Sequence, residues 1–400
     1  MRTINLSVPG RKNSQKATYF LVLVFWSDVI LMYVCGFLSH FIGEASSFVV
    51  PSIVICLLFA SFSNLVKNMK VADMLFGPLF FILYILQYLL FPGNANVLDE
   101  NFYNIVFCVV PCFYIGRILY IEIFEKPLFI ISAISIILDV FYYLIYSQGA
   151  TYQGSGELAT ENMSQAYQIL LHVCYCTWYV FKHFSIGTLA MAFVGFVFLL
   201  FMGCRGAIIS YLVFLGLYLI FSGCLRKSKT TFFILITLVL LFLVYFDQLF
   251  QLLFNFSSSI GFSTRIFDRM VEDAMVELDI GREYMYTTVL SYIINDSLGL
   301  GYGLCYDRII CDPYAHNFIL EILLEFGMYI GSVLLLGMFV YLIYTYLKRA
   351  DTDQRAILLM FFACSFVHLF FSSSYLLNQE FFVLFGYCSL LNSKRTIIYS

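Results

Sequence analysis

Twelve mostly apolar stretches follow one another along this chain, at 18–39, 48–62, 74–91, 102–120, 128–147, 163–181, 187–202, 206–222, 231–247, 326–347, 356–373 and 380–393. A helix needs about 20 such residues to cross a bilayer, and repeated stretches of that size leave few soluble folds open. Composition agrees. Hydrophobic residues make up 62% of the 400 and charged residues 12%, against roughly 45–50% and 25% in soluble domains. With 22 Lys and Arg and 25 Asp and Glu, a soluble fold could not cover that much apolar surface. The sequence predicts an all-α membrane protein of about 12 transmembrane helices, a single polytopic domain over 1–400.

Net charge is −3, so no basic face points to nucleic acid. The twelve cysteines fall mostly inside apolar stretches, and none has zinc-like spacing with histidine. The polar start carries Arg2, Arg11, Lys12 and Lys16. The apolar run after it is too long for a signal peptide and lacks a small-x-small cleavage site, so it is expected to remain as a helix.

Short cytoplasmic loops hold an excess of Lys and Arg. With both termini inside, 17 of the 22 basic residues fall on the cytoplasmic side, Lys70, Arg117 and Lys126 among them. The outer remainder is Arg205, Arg265, Arg269, Arg282 and Arg308: all arginine, all between 205 and 308. Guanidinium groups fork onto phosphate and stay charged in dry surroundings. An anionic ligand on the outer face is the leading account of charge placed against topology.

One loop, 248–316, is far longer than the rest, and long loops that are not disordered usually carry function. Thr264 can cap a helix with Ile266, Phe267, Met270, Val271, Ala274 and Leu278 on one face. After Gly281 a second helical run turns Tyr286, Val289, Leu290 and Ile293 inward. Gly299, Gly301 and Gly303 mark a turn, and a further helix begins near His316.

Each candidate has a plain alternative. Arg205, between Gly203-Cys204 and Gly206-Ala207, suits a ligand phosphate because glycines permit close backbone approach; the alternative is an arginine on lipid headgroups. Arg282 follows Gly281 and could instead pair with Glu283 or Asp279. Arg265 and Arg269 lie one turn apart beside Asp268, Glu272 and Asp273, and ion pairing is the reading their position favours. His316 sits where a helix N-terminus disfavours a positive imidazole, which keeps it available as a base; the alternative is a satisfied interfacial histidine. Asp312 is a second candidate base. Cys305 and Cys311 lie close enough in sequence for a disulfide, and either state is open. Asp28, Asp139, His172 and His368 are isolated within spans and read as polar helix-packing contacts.

Taken in order, Gly203-Cys204-Arg205-Gly206-Ala207, Gly281-Arg282, Leu298-Gly299-Leu300-Gly301-Tyr302-Gly303, His316-Asn317, Glu325-Phe326-Gly327 and Gly331 resemble the O-antigen polymerase (Wzy) and O-antigen ligase family of bacterial membrane glycosyltransferases. The likeness covers about 203–331. It departs at Cys204, where serine is commoner, and at Tyr284 or Tyr286, where the family often shows tryptophan. The resemblance implies a GT-C-like polymerase/ligase architecture in the bacterial inner (cytoplasmic) membrane, its site facing the periplasm. It implies transfer of a glycan from undecaprenyl diphosphate with no cofactor, nucleotide sugar or metal. Arg205 and Arg282 would neutralise the diphosphate, with Arg265, Arg269 or Arg308 as helpers, and His316 would deprotonate the acceptor hydroxyl. Partners would be an undecaprenyl-diphosphate-linked oligosaccharide and membrane lipids, with a chain-length regulator and a flippase as further candidates.

Polymerase is the first reading and ligase, with lipid A core as acceptor, the second. Both would serve O-antigen, capsule or exopolysaccharide biosynthesis. Within 248–316 four arginines face nine acids, so phosphate binding requires local convergence of arginines. A lipid-linked oligosaccharide flippase would place its charges inside the bundle and keep its outer loops short, and the sequence shows the reverse.

Overall fold

The computed structural model describes residues 9–43, 49–146, 157–202, 204–221, 274–311 and 314–393, with scattered positions between 245 and 255. Its helices are α1 (Pro9–Trp26), α2 (Asp28–Ile42), α3 (Val49–Asn68), α4 (Val71–Met74), α5 (Phe76–Leu90), α6 (Ala95–Ile118), α7 (Ile121–Tyr146), α8 (Glu157–Lys182), α9 (Ile186–Met202) and α10 (Arg205–Phe221). After the loop come α11 (Ala274–Asn295), α12 (Asp307–Ile310), α13 (Phe318–Lys348), α14 (Thr352–Phe362) and α15 (Gln379–Asn392). No strand occurs among the described residues.

Three helices there are long and apolar enough to cross a membrane: Pro92–Ile118, Phe318–Lys348 and Thr352–Phe371. A fourth is gained if α1 and α2 form one broken span. Shorter apolar helices lie at Val49–Leu65, Phe76–Leu90, Ile186–Met202 and Arg205–Phe221. The expected stretch 231–247 is outside the described residues, apart from Tyr245, as is the helix expected from Thr264 up to position 273.

The first expected span, 18–39, is not one continuous helix. It bends by 79° between Trp26 and Asp28. Ser27 donates its hydroxyl to the Leu23 carbonyl at 2.7 Å, a back-bond that competes with the helix ladder and bends it. The start expected after Gly281 also differs, because α11 runs through Gly281 and Arg282 unbroken. A single glycine costs a helix only ~1 kcal/mol. Val289 and Ile293 are buried as expected, whereas Leu290 faces out.

The chain divides into two compact units. The first comprises Met1–Leu128, Tyr284–Gln354 and Leu369–Ser400. There α6 packs on α15 with almost no side chain between them: a Cβ on Gly116 would stand 2.1 Å from the Val383 carbonyl oxygen, and one on Gly386 2.0 Å from that of Phe113. Small residues that let backbones meet are the usual means of joining helices in lipid. Polar contacts join α1 to α3, with Asn64 donating to the Thr18 hydroxyl at 2.9 Å. Leu79, Ile82, Leu89, Val333, Leu336 and Val340 are exposed, an apolar surface suited to lipid.

The second unit comprises Phe129–Glu283 and Arg355–His368. Two of its polar side chains, His172 and His368, make helix-packing contacts of the expected kind. His172 Nδ1 is 3.2 Å from the Ser132 hydroxyl, and His368 stacks on Tyr167 at 3.5 Å.

Candidate functional site

In the first unit the motif residues of 296–327 assemble around a seam of glycines. The Asp296 carboxylate accepts from the backbone N–H of Leu298, Gly299 and Gly301, winding the chain into a tight turn. Gly299, Gly301 and Gly303 have φ of 61°, 79° and 86°, a region open to glycine at no steric cost. The turn lies against the start of α13. Tyr302 N–H donates to the Leu324 carbonyl at 2.9 Å and Gly303 N–H to that of Glu325 at 3.0 Å. These bonds occupy carbonyls at a break in α13, where Gly327 has φ 75°. A Cβ on Gly327 would stand 2.0 Å from the Gly299 oxygen. Gln87 accepts from Leu304 N–H, and Asn94 donates to the carbonyls of Tyr302 and Leu304, so α5 and the turn after it grip the same loop.

His316 immediately precedes α13. Asn317 is the cap, its side chain accepting from Ile319 and Leu320 N–H. His316 adopts φ 50°, uncommon for a residue with a side chain; such outliers concentrate at functional sites. The segment is fixed on several sides. Ala315 N–H donates to Asp307 Oδ2 at 3.1 Å, the Tyr286 hydroxyl donates to the His316 carbonyl at 3.4 Å, and the Tyr314 ring lies 4.4 Å from the imidazole. Beneath it Val289, Ile293, Cys311, Ala315 and Leu324 form an apolar core.

Beside this segment is a cluster of charge absent from the sequence reading. Asp307, Glu321 and Glu325 are all buried, each with an oxygen within 4.8 Å of the others. Glu321 accepts from the Ser374 hydroxyl and from Tyr375 N–H. Glu325 accepts from Cys305 N–H at 2.7 Å and from the Tyr375 hydroxyl at 2.6 Å. Arg308 donates to Ser374 Oγ at 3.1 Å and to Cys305 Sγ at 3.2 Å. Burial pushes the Asp307 carboxyl up, against the Ala315 amide and Arg308, which favour its charged form. Burial works against the Arg308 cation, but the neighbouring Cys305, Asp307, Glu321 and Glu325 raise it overall. Burial also drives the Cys305 thiol far above its ordinary value. Cys305 and Cys311, for which either state was open, are both free thiols in this structure.

A second charge is buried at the end of α6. Arg117, counted as a cytoplasmic loop charge, is fully buried and donates to Asp73 Oδ2 at 2.8 Å. The expectation that charges do not gather inside the bundle therefore fails in this unit. Asp73, Ser389 and Tyr375 border a cavity of about 400 Å³ whose remaining wall is apolar, with Phe80, Phe113 and Met338 among its residues.

The other predicted residues are distributed as follows. Arg205 opens α10 in the second unit with its side chain exposed. The buried Cys204 before it bonds the backbone N–H of Gly206 and Ala207 and the Tyr167 side chain, and burial raises its thiol. That is a helix-capping role of the kind a serine would fill at this position. Arg282 lies on α11 and its side chain is outside the described residues, as are Arg265, Arg269 and Asp312 altogether. The sequence motifs include Glu325, but neither it nor Glu321 was assigned a role. The signal available was two acids four apart, on one face of an apolar helix.

No curated protein and no solved structure matches this chain. Residues 190–335, which hold Arg205, the Gly299–Gly303 turn and His316, match the family model described as O-antigen ligase, the family that the sequence motifs resemble.

Proposed function

We propose that this chain is a polysaccharide repeat-unit polymerase of the periplasmic face, transferring a growing glycan from undecaprenyl diphosphate to a sugar hydroxyl on a second lipid-linked unit. The observation that carries this reading is the family match over 190–335, which includes both the arginine turn and the histidine. His316 accepts the proton of the acceptor hydroxyl, whose oxygen attacks the anomeric carbon. The bond to the diphosphate breaks, and undecaprenyl diphosphate leaves with inversion at that carbon. Guanidinium groups neutralise the leaving charge directly, and Arg205 and Arg282 take that role, with Arg265 and Arg269 as helpers. Arg308, the remaining candidate, is turned to Ser374 and Cys305, which suits it better to holding the acid cluster than the diphosphate.

The fixed backbone at His316 supports its assignment, since a general base works only within hydrogen-bond reach of its proton. The cavity between α5, α6, α13 and α15 suits an isoprenoid chain. About twelve spans with both termini cytoplasmic put the 248–316 loop on the periplasmic side, by the distribution of Lys and Arg.

Ligase is the second reading, favoured by the description of the matching family model. A flippase loses one counter-argument, because charges do gather inside the first unit, and the family match is what weighs against it. A gel of surface glycan from a deletion strain separates the three. Restoration of a long ladder by the wild-type gene, with core carrying one repeat in the deletion strain, supports the polymerase. His316→Ala is then expected to lose the ladder, general-base removal costing ~10²–10⁴-fold. Loss of the single-repeat species with long lipid-linked chains building up outside identifies the ligase. Repeat units trapped on the inner leaflet identify a flippase.

A further inference from the structure

We propose that Asp307, Glu321 and Glu325 hold one divalent metal cation of calcium size, which ties the Gly299–Gly303 turn and the residues before His316 to the start of α13. Distance is the first argument. Each acid places an oxygen within 4.8 Å of the other two, and oxygens sharing a calcium at 2.3–2.6 Å stand no further apart than roughly twice that.

Hydrogen bonding is the second. Tyr375 N–H and Cys305 N–H can only donate, and each points at a different glutamate. Arg308 donates to Ser374 Oγ, which leaves the Ser374 hydrogen for Glu321. With both oxygens of each glutamate met by a donor, the pattern is that of ionised carboxylates rather than of acids holding a proton.

Charge is the third. Among the described residues three carboxylates surround one guanidinium, that of Arg308, which leaves the cluster two positive charges short. Buried ions persist only when paired or bound to metal. One divalent cation closes the difference. A separate observation points to the same place: Asp307 is fully buried, yet its Oδ1 has no hydrogen-bond partner. Its Oδ2 accepts from Ala315 N–H.

Oxygen donors select a hard cation. The neighbouring Cys305 sulfur is turned to Arg308, so the three acids offer oxygen alone, which argues against zinc. Magnesium keeps several of its waters, and three buried side chains crowded together leave little room for them. Calcium tolerates irregular coordination. The cation has a structural part and is given none in glycan transfer, so the proposal stands apart from the polymerase reading.

The test uses the full chain in detergent, stripped with chelator and re-equilibrated with calcium chloride at constant ionic strength. Bound calcium is measured after gel filtration, and thermal unfolding is followed with and without the ion. A single calcium per chain and a Tm raised by several degrees are expected. Both should disappear in Asp307→Asn and Glu321→Gln and persist in Glu100→Gln, a change at an exposed acid. If either cluster variant does not fold, Glu325→Asp keeps the charge with a shorter reach and should weaken calcium affinity at least ~10-fold. No calcium uptake by the wild-type chain would overturn the proposal, because two protons would then balance the cluster. Undiminished uptake in folded Asp307→Asn, or unchanged affinity in Glu325→Asp, would overturn it as well.

Discussion

The first unit buries charge in two places, and the two are composed differently. Around Asp73 there is one acid and one arginine: Arg117 meets it at 2.8 Å, Ser389 donates to its other oxygen, and Lys70 N–H adds a third contact. Around Glu325 there are three acids and one arginine. The first set is neutral in itself and needs nothing further to be stable between helices. The second is neutral only with protons or a cation, and it lies beside the backbone that carries His316. Buried charge that closes on itself joins α4 to α6, whereas buried charge left open marks where an ion or proton belongs.

The contrast is sharpest when one acid is removed from each, measured as thermal unfolding of chelator-treated protein. Asp73→Asn strands a buried guanidinium whose Nη1 and Nη2 have no hydrogen-bond partner even now. Breaking a buried pair in this way costs ~3–5 kcal/mol and should give the largest fall in Tm. If Asp73→Asn proves silent, the pair is not what holds that end of the bundle.

The glycine seam comes next. Gly327→Ala meets both a positive φ and the Gly299 oxygen, at a cost of ~2–3 kcal/mol. Gly337→Ala, further along the same helix, meets nothing within 4 Å and should leave Tm unchanged or slightly raised. Equal effects of the two would show that the turn does not lean on the α13 break.

These same residues show what could be read in one dimension. The Gly299–Gly303 turn, the start of α13 and the buried Val289 and Ile293 were legible, because positive φ, capping and helical periodicity are local properties. The acid cluster was not. Glu321 and Glu325 find Ser374 and Tyr375 some fifty positions away, and no spacing rule connects them. The burial of Arg117 was not legible for the same reason, its partner Asp73 lying 44 positions earlier. The bend at Ser27 was hidden because both flanks are apolar. The arginines of 265–282 lie where the structure describes no side chain, so their part rests on sequence alone.

Smaller effects refine the acid cluster. Tyr375→Phe removes the hydroxyl that Glu325 accepts at 2.6 Å, and a hydrogen bond to a charged group is worth ~1.5–3 kcal/mol. The loss should sit at the lower end, near 1.5, because Cys305 N–H still holds the other oxygen. It should also shrink when calcium is present, since a bound cation takes over part of the same charge. A loss that is identical with and without calcium would separate Tyr375 from any ion.

Asp307→Asn should have the smallest effect, and its sign is the informative part. Unlike Asp73, Asp307 has neighbours that are mostly acids, so its charge is repelled by Glu321 and Glu325 and attracted only by Arg308. Asparagine keeps an oxygen for Ala315 N–H and turns an amide donor toward carboxylates. In chelator the change should leave Tm unchanged or raise it by the equivalent of up to ~1 kcal/mol. With calcium the order reverses, because the wild type gains stability from the ion and the variant does not. A fall in chelator as large as that of Asp73→Asn would mean that the three acids close on themselves as the ion pair does.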